Sequence, residues 1–133
     1  MTKKELGTAS SVLCVNMFEF EIPANKHDLI ISIATIHHGT KKQIQNLINQ
    51  IHGALAENGK IFITVPNLEG LKQWNTFKDQ EKIAEGTSIP LSGPEKGLPH
   101  SFFSKEEVEK LFSNFKNVTL ALDVIGRWVI QAS

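Results

Sequence analysis

Cysteine is almost absent from this 133-residue chain: Cys14 is the only one, so neither an intramolecular disulfide nor a cysteine metal cluster can form. Arginine is as scarce, with Arg127 alone among 14 basic residues. There is no excess of either charge, since Lys plus Arg and Asp plus Glu are 14 each. No global field therefore draws the chain to nucleic acid or to an anionic membrane. No apolar run is long enough to span a bilayer. The segment MTKKELGTASS is charged and small, with no apolar core behind it, which is not the pattern of a secretory signal. There is no internal repeat and no low-complexity tract. The expectation is a single cytoplasmic domain spanning 1–133, because hydrophobic content of 41% and charged content of 21% are globular values.

What is present has a clear order. SVLCV, 11–15, reads as a short buried strand, followed by a loop punctuated by Pro23 and Asn25. LIISIA, 29–34, is apolar on both faces, which suits a covered strand in a parallel sheet. Thr40 can cap a helix, and Ile44, Leu47, Ile48, Ile51 and Leu55 recur at spacings of three and four. Asn58-Gly59 reads as the helix stop, with Gly59 in the left-handed position. KIFITV, 60–65, is the next strand, closed by Pro66, so strand, helix and strand predict a parallel crossover. Residues 67–103 read as irregular, with Trp74 and Phe77 on a short helix and a Gly/Pro-rich lid or binding loop after it. Ser104 and Glu107 form a capping box for a helix with Val108, Leu111, Phe112 and Phe115 inward. The end, 118–124 and 127–132, reads as a hairpin turning at Ile125-Gly126.

Three segments carry a resemblance: HDLIISIATIHH, ALAENGKIFITVPN and GLPHSFFSKEEVEKLFSNF…GRWVIQA. In this order and spacing they resemble the second half of class I S-adenosylmethionine-dependent methyltransferases, in particular the small ubiquinone-methylase-like (type 11) group. The resemblance covers roughly residues 11–133. It implies an α/β, partial Rossmann-like fold: a mostly parallel sheet, helices on its faces and a C-terminal antiparallel hairpin. It implies S-adenosylmethionine as cofactor, with a sulfonium methyl displaced in line and the protein supplying position and a dry pocket. Asn16, Met17, Ser32, Ile33, Ala34 and His37 would lie on the cofactor side. His38, His100 and Arg127 would approach a small-molecule substrate. No residue is assigned a catalytic role.

The departures from the family are specific. Its glycine-rich G-x-G-x-G turn has no counterpart, because the glycines stand at 7, 39, 53, 59, 70, 86, 93, 97 and 126. The strand matching SVLCVNM ends in Asn16 where the family often has Asp, although an amide oxygen can still accept a hydrogen bond. The resemblance is thus to a truncated domain, inactive by itself. The alternative is a non-enzymatic interaction or regulatory module built on the remaining half of the fold. Duller readings stand beside each site residue: Asn16 and Met17 as a plain strand end, and His37-His38 as a loop with one ring packed and one wet. His27 and His52 read as surface residues. Adjacent His37 and His38 do not easily point both rings at one ion, and no Cys, Asp or Glu spacing completes a familiar set, so no metal is expected. Serine hydrolysis is excluded, since Ser11, Ser32 and Ser101 lack a G-x-S-x-G context. Without the first strands, 29–34 would be a long apolar edge, and a homodimer through it is expected.

Overall fold

A computed structural model describes residues 10–70 and 79–133. Trp74 and Phe77, with the short helix expected around them, lie outside the described residues. The main sheet holds β1 (His27–Ser32), β2 (Leu55–Val65), β6 (Thr119–Leu122) and β7 (Trp128–Ala132) in the order β1-β2-β7-β6. The expected crossover is present. β1 runs into α1 (Lys41–Ala54), the chain returns as β2, and β1 and β2 pair in parallel. Pairs β2·β7 and β6·β7 are antiparallel, so the sheet is mostly antiparallel and not mostly parallel as expected. The hairpin β6–β7 is antiparallel as expected, but 11–15 does not enter the sheet, so β1·β2 is the one parallel pair among the described residues.

Thr40 and Gln43 form a full capping box at the start of α1, and Ser104 and Glu107 do the same for α2 (Lys105–Leu111). The stripe Ile44, Leu47, Ile48 and Ile51 is buried as expected, and Val108, Leu111, Phe112 and Phe115 join the same core. That core meets one face of the sheet, through Ile61, Ile63, Val65, Ile130 and Ala132. Cross-strand register puts Leu29, Ile31, Phe62 and Gln131 on the opposite face. Among the described residues no helix covers that face, and Leu29 and Ile31 are 56% and 58% exposed. Helices on both faces were expected; the described structure has two layers. β1 is apolar on both sides, yet only the side carrying Ile30 is packed.

Three further boundaries differ from the sequence reading. SVLCV, 11–15, forms no strand, and all five residues are exposed. Its apolar character is that of a strand, but among the described residues it pairs with no other strand. α1 stops at Ala54 and not at Asn58-Gly59, and Asn58 takes the left-handed φ of 63°. Between the pairs His27↔Leu55 and Leu29↔Lys60, β2 advances five residues while β1 advances two. The three extra residues bulge, and Gly59 is pressed there against the backbone oxygens of His27 and Ala56. Finally, the region read as a lid loop contains a second, antiparallel sheet: β3 (Gln80–Ala84), β4 (Thr87–Pro90) and β5 (His100–Ser101). Between β4 and β5, 91–99 stays irregular.

Candidate functional site

The loop that leaves β1 is fixed at three points. Ile36 is buried in the core, Ala34 N–H donates to Thr64 Oγ1 at 2.9 Å, and Thr35 Oγ1 donates to the Ile33 carbonyl at 2.9 Å. Ala34 adopts a φ of 52°, a left-handed conformation that a side chain tolerates only under such constraint. The chain thereby turns sharply, and His37 and His38 project beside β5.

β5 is tied to this loop by its own residues. Ser101 N–H donates to the His37 carbonyl at 3.0 Å, and Ser101 Oγ donates to the Gly39 carbonyl at 2.6 Å. With that hydroxyl proton committed, the buried Thr87 Oγ1 donates to Ser101 Oγ at 2.8 Å. His100 precedes this anchor and is buried. The result is a cluster of three imidazoles. Ring centroids of His37 and His38 are 4.0 Å apart, those of His38 and His100 4.7 Å, and those of His37 and His100 5.5 Å. Adjacent His37 and His38 do converge on one place, contrary to the sequence expectation, because the left-handed turn at Ala34 and the Ser101 bond set the backbone between them.

Burial above all, then the neighbouring charges of His38, His100 and Arg127, depress the His37 pKa to about 3. Burial and His100 also lower that of His38, against the opposing pull of Glu95. Both rings are therefore neutral near pH 7. His37 Nδ1 and His38 Nε2 are buried without a hydrogen-bond partner. Glu95 reaches over the cluster from the 91–99 loop, with Oε2 3.0 Å from His100 Nε2 and Oε1 4.0 Å from His38 Nε2. Sequence reasoning missed Glu95; nothing in GPEKG marks it, and only the fold of the loop brings it to His100.

The remaining expected site residues scatter. Asn16 is exposed, and its side-chain oxygen accepts from Phe18 N–H at 2.9 Å. Met17 packs against the core. Ser32 is half-buried, while Ile33 and Ala34 are exposed beside the histidine loop. Arg127 donates from Nε to Asp123 Oδ2 at 2.7 Å within the hairpin turn, although its charge reaches His37. His27 and His52 are exposed, as expected.

No protein-family model matches the sequence, and no curated protein is significantly similar to it. Solved structures do match. A protein from Pyrococcus horikoshii superposes with a TM-score of 0.76 at 13% identity, covering 98% of this chain and 62% of its own. An S-adenosylmethionine-dependent methyltransferase from Clostridium acetobutylicum gives 0.68 at 11% identity, covering 98% of this chain and 67% of its own. A 1,6-didemethyltoxoflavin-N1-methyltransferase from Burkholderia thailandensis, solved with S-adenosylhomocysteine and 1,6-didemethyltoxoflavin, gives 0.66 at 12% identity, covering 98% and 53%. The chain thus spans about two thirds or less of these neighbours' length. Over that part, its fold is the class I fold of S-adenosylmethionine-dependent methyltransferases.

Proposed function

We propose that this chain is methyltransferase-like, facing an S-adenosylmethionine side through Ser32, Ile33, Ala34 and His37 and a small-molecule substrate side through His38, His100 and Arg127, and that these 133 residues transfer no methyl group by themselves. The observation that carries the reading is the fold, matched over nearly the whole chain to methyltransferase structures. S-adenosylmethionine, when bound, supplies an electrophilic methyl on sulfur. The residues present fit only one side of it. The exposed turn at Ile33-Ala34 and the unpartnered His37 Nδ1 offer a surface for it. Asn16, expected to meet the adenine amino group, instead spends its oxygen on Phe18 N–H. No pair of glycines is close enough to form a G-x-G turn for the methionine half.

Each unmet polar group of the ligand costs roughly 1–3 kcal/mol, and about 1.4 kcal/mol is tenfold in affinity. Two such losses move a micromolar ligand to the millimolar range. Titration calorimetry with S-adenosylmethionine should therefore show millimolar binding or none, and a radiolabelled methyl-transfer screen should be blank. Micromolar binding, or transfer to any acceptor, overturns the proposed inactivity. The second reading, a non-enzymatic interaction module, is favoured by one observation: the uncovered apolar sheet face bearing Leu29 and Ile31. Tight self-association together with no cofactor binding would favour it over a weakened enzyme.

A further inference from the structure

The structure assigns a second capacity to the histidine cluster: we propose that His37, His38 and His100, with Glu95 as an oxygen ligand, bind one divalent transition-metal ion of the zinc class. One ligand nitrogen from each of the three rings lies within 4.8 Å of those of the other two. The sets that bind zinc and its neighbours combine imidazole nitrogens with at most one or two carboxylates, whereas calcium and magnesium require mostly oxygen. Three imidazoles and one carboxylate belong to the first kind.

Two of the three rings present an unpartnered nitrogen for this role. His38 hydrogen-bonds the Thr35 backbone, which leaves Nε2 as the unpartnered nitrogen of its ring. His37 presents Nδ1, also buried and unpartnered. His100 Nδ1 lies 2.9 Å from the Leu98 carbonyl, an acceptor, so that nitrogen carries the proton. Its Nε2 lies 3.0 Å from Glu95 Oε2. A backbone carbonyl behind a ligating imidazole is also the usual outer support, fixing tautomer and ring plane. Tetrahedral zinc with bonds of about 2.0–2.1 Å sets ligand nitrogens about 3.3 Å apart. The nitrogens must therefore approach one another by up to about 1.5 Å on the ion, through rotation of the His37, His38 and Glu95 side chains in the 33–40 and 91–99 loops toward His100.

The consequence is architectural. His37 and His38 leave the main sheet, and His100 and Glu95 belong to the small sheet and its loop, so the ion would fasten one sheet to the other. The inference does not rest on cofactor binding, and its test contains no S-adenosylmethionine. The full chain is stripped with a chelator and titrated with Zn²⁺ by calorimetry, and with Co²⁺ by visible absorption. One equivalent is expected, with a d–d band for Co²⁺ and a raised thermal midpoint with Zn²⁺. His38→Gln, at a half-buried ring, should weaken Zn²⁺ binding about tenfold or more, and His100→Ala further still. His52→Gln, at an exposed ring, should change nothing. Should His100→Ala fail to fold by circular dichroism, His38→Gln decides. The proposal is overturned if no stoichiometric binding occurs, if His38→Gln binds as wild type does, or if Ca²⁺ binds as tightly as Zn²⁺.

Discussion

Gly59 shows how one residue sets a register. Its φ is unremarkable, so conformational freedom is not what this position needs; it needs the absence of a side chain. A Cβ there would stand 2.8 Å from the His27 carbonyl oxygen and 2.9 Å from that of Ala56, both backbone atoms that cannot rotate away. Gly59→Ala should therefore destabilise the chain by about 1–3 kcal/mol through forced backbone movement, as overpacking does. Urea unfolding would measure it, and an unchanged midpoint would refute the close-approach argument. Glu107 makes a second residue-scale case. Burial pushes its carboxyl up, but the hydrogen bond from Lys41, the Ser104 N–H and the Lys41 charge outweigh burial and hold its pKa below the usual range. Lys41 opens α1, where the helix dipole disfavours a cation, and this partner offsets that. The sign follows: a folded pKa below the unfolded value gives stability that is present above about pH 4.5 and is lost as pH falls through the lowered value. Glu107→Gln keeps an oxygen for the Ser104 N–H and removes the charge. Its thermal midpoint should lie below wild type at pH 7 and converge with it near pH 3.

At the scale of elements, helices were legible in the sequence and sheets only in part. The stripe from Ile44 to Ile51, the Thr40 cap and the Ser104–Glu107 capping box are local patterns, each decided within a few residues, and the structure has them, although Leu55, read as the stripe's end, opens β2. Ile48 sits at the centre of that stripe with no exposed surface. Ile48→Ala should cost about 2–5 kcal/mol. Lys42→Glu, on the exposed side of the same helix, should change stability by no more than a few tenths. Chemical denaturation of both variants tests whether α1 is held by its stripe. Strands depend on partners, and there the sequence was ambiguous. SVLCV has the composition of a buried strand but gains no partner. TSIP and the pair His100-Ser101 look like loop, yet they pair through registers that join residues 14 and 12 apart. The candidate site followed the same division. The histidine pair and His100 stand out as residue types, but their convergence depends on the turn at Ala34 and on the Ser101 bond to the His37 carbonyl. Glu95 is one acidic residue among 14 in the sequence and becomes distinctive only beside His100 Nε2.

For the whole molecule, the two-layer build leaves a consequence at one edge. Among the described residues β1 ends the main sheet, and its outer backbone groups have no neighbouring strand there. Leu29 and Ile31 stand out on the uncovered face, and a groove of about 520 Å³ runs there between them, Phe62, Thr119 and Gln131. Proteins usually blunt such an edge with proline, lysine or a covering segment, and Leu29–Ser32 contains neither residue. We propose that a second copy of this chain covers it, through the region around 29–34 and about a two-fold axis that brings the same apolar residues together from both sides. A stable interface needs on the order of 1,000 Å² in total, and a strand edge with the adjoining face can supply that. Light scattering over a concentration series should then give twice 14.8 kDa, falling towards the monomer on dilution. Ile31→Lys is the decisive variant. Its side chain projects from the bare face and takes no part in the core, so the monomer should stay folded by circular dichroism while the dimer is lost. Lys42→Glu, away from that face, should leave the mass unchanged. A wild-type mass of 14.8 kDa at every concentration rejects the dimer, and so does an Ile31→Lys chain that still doubles.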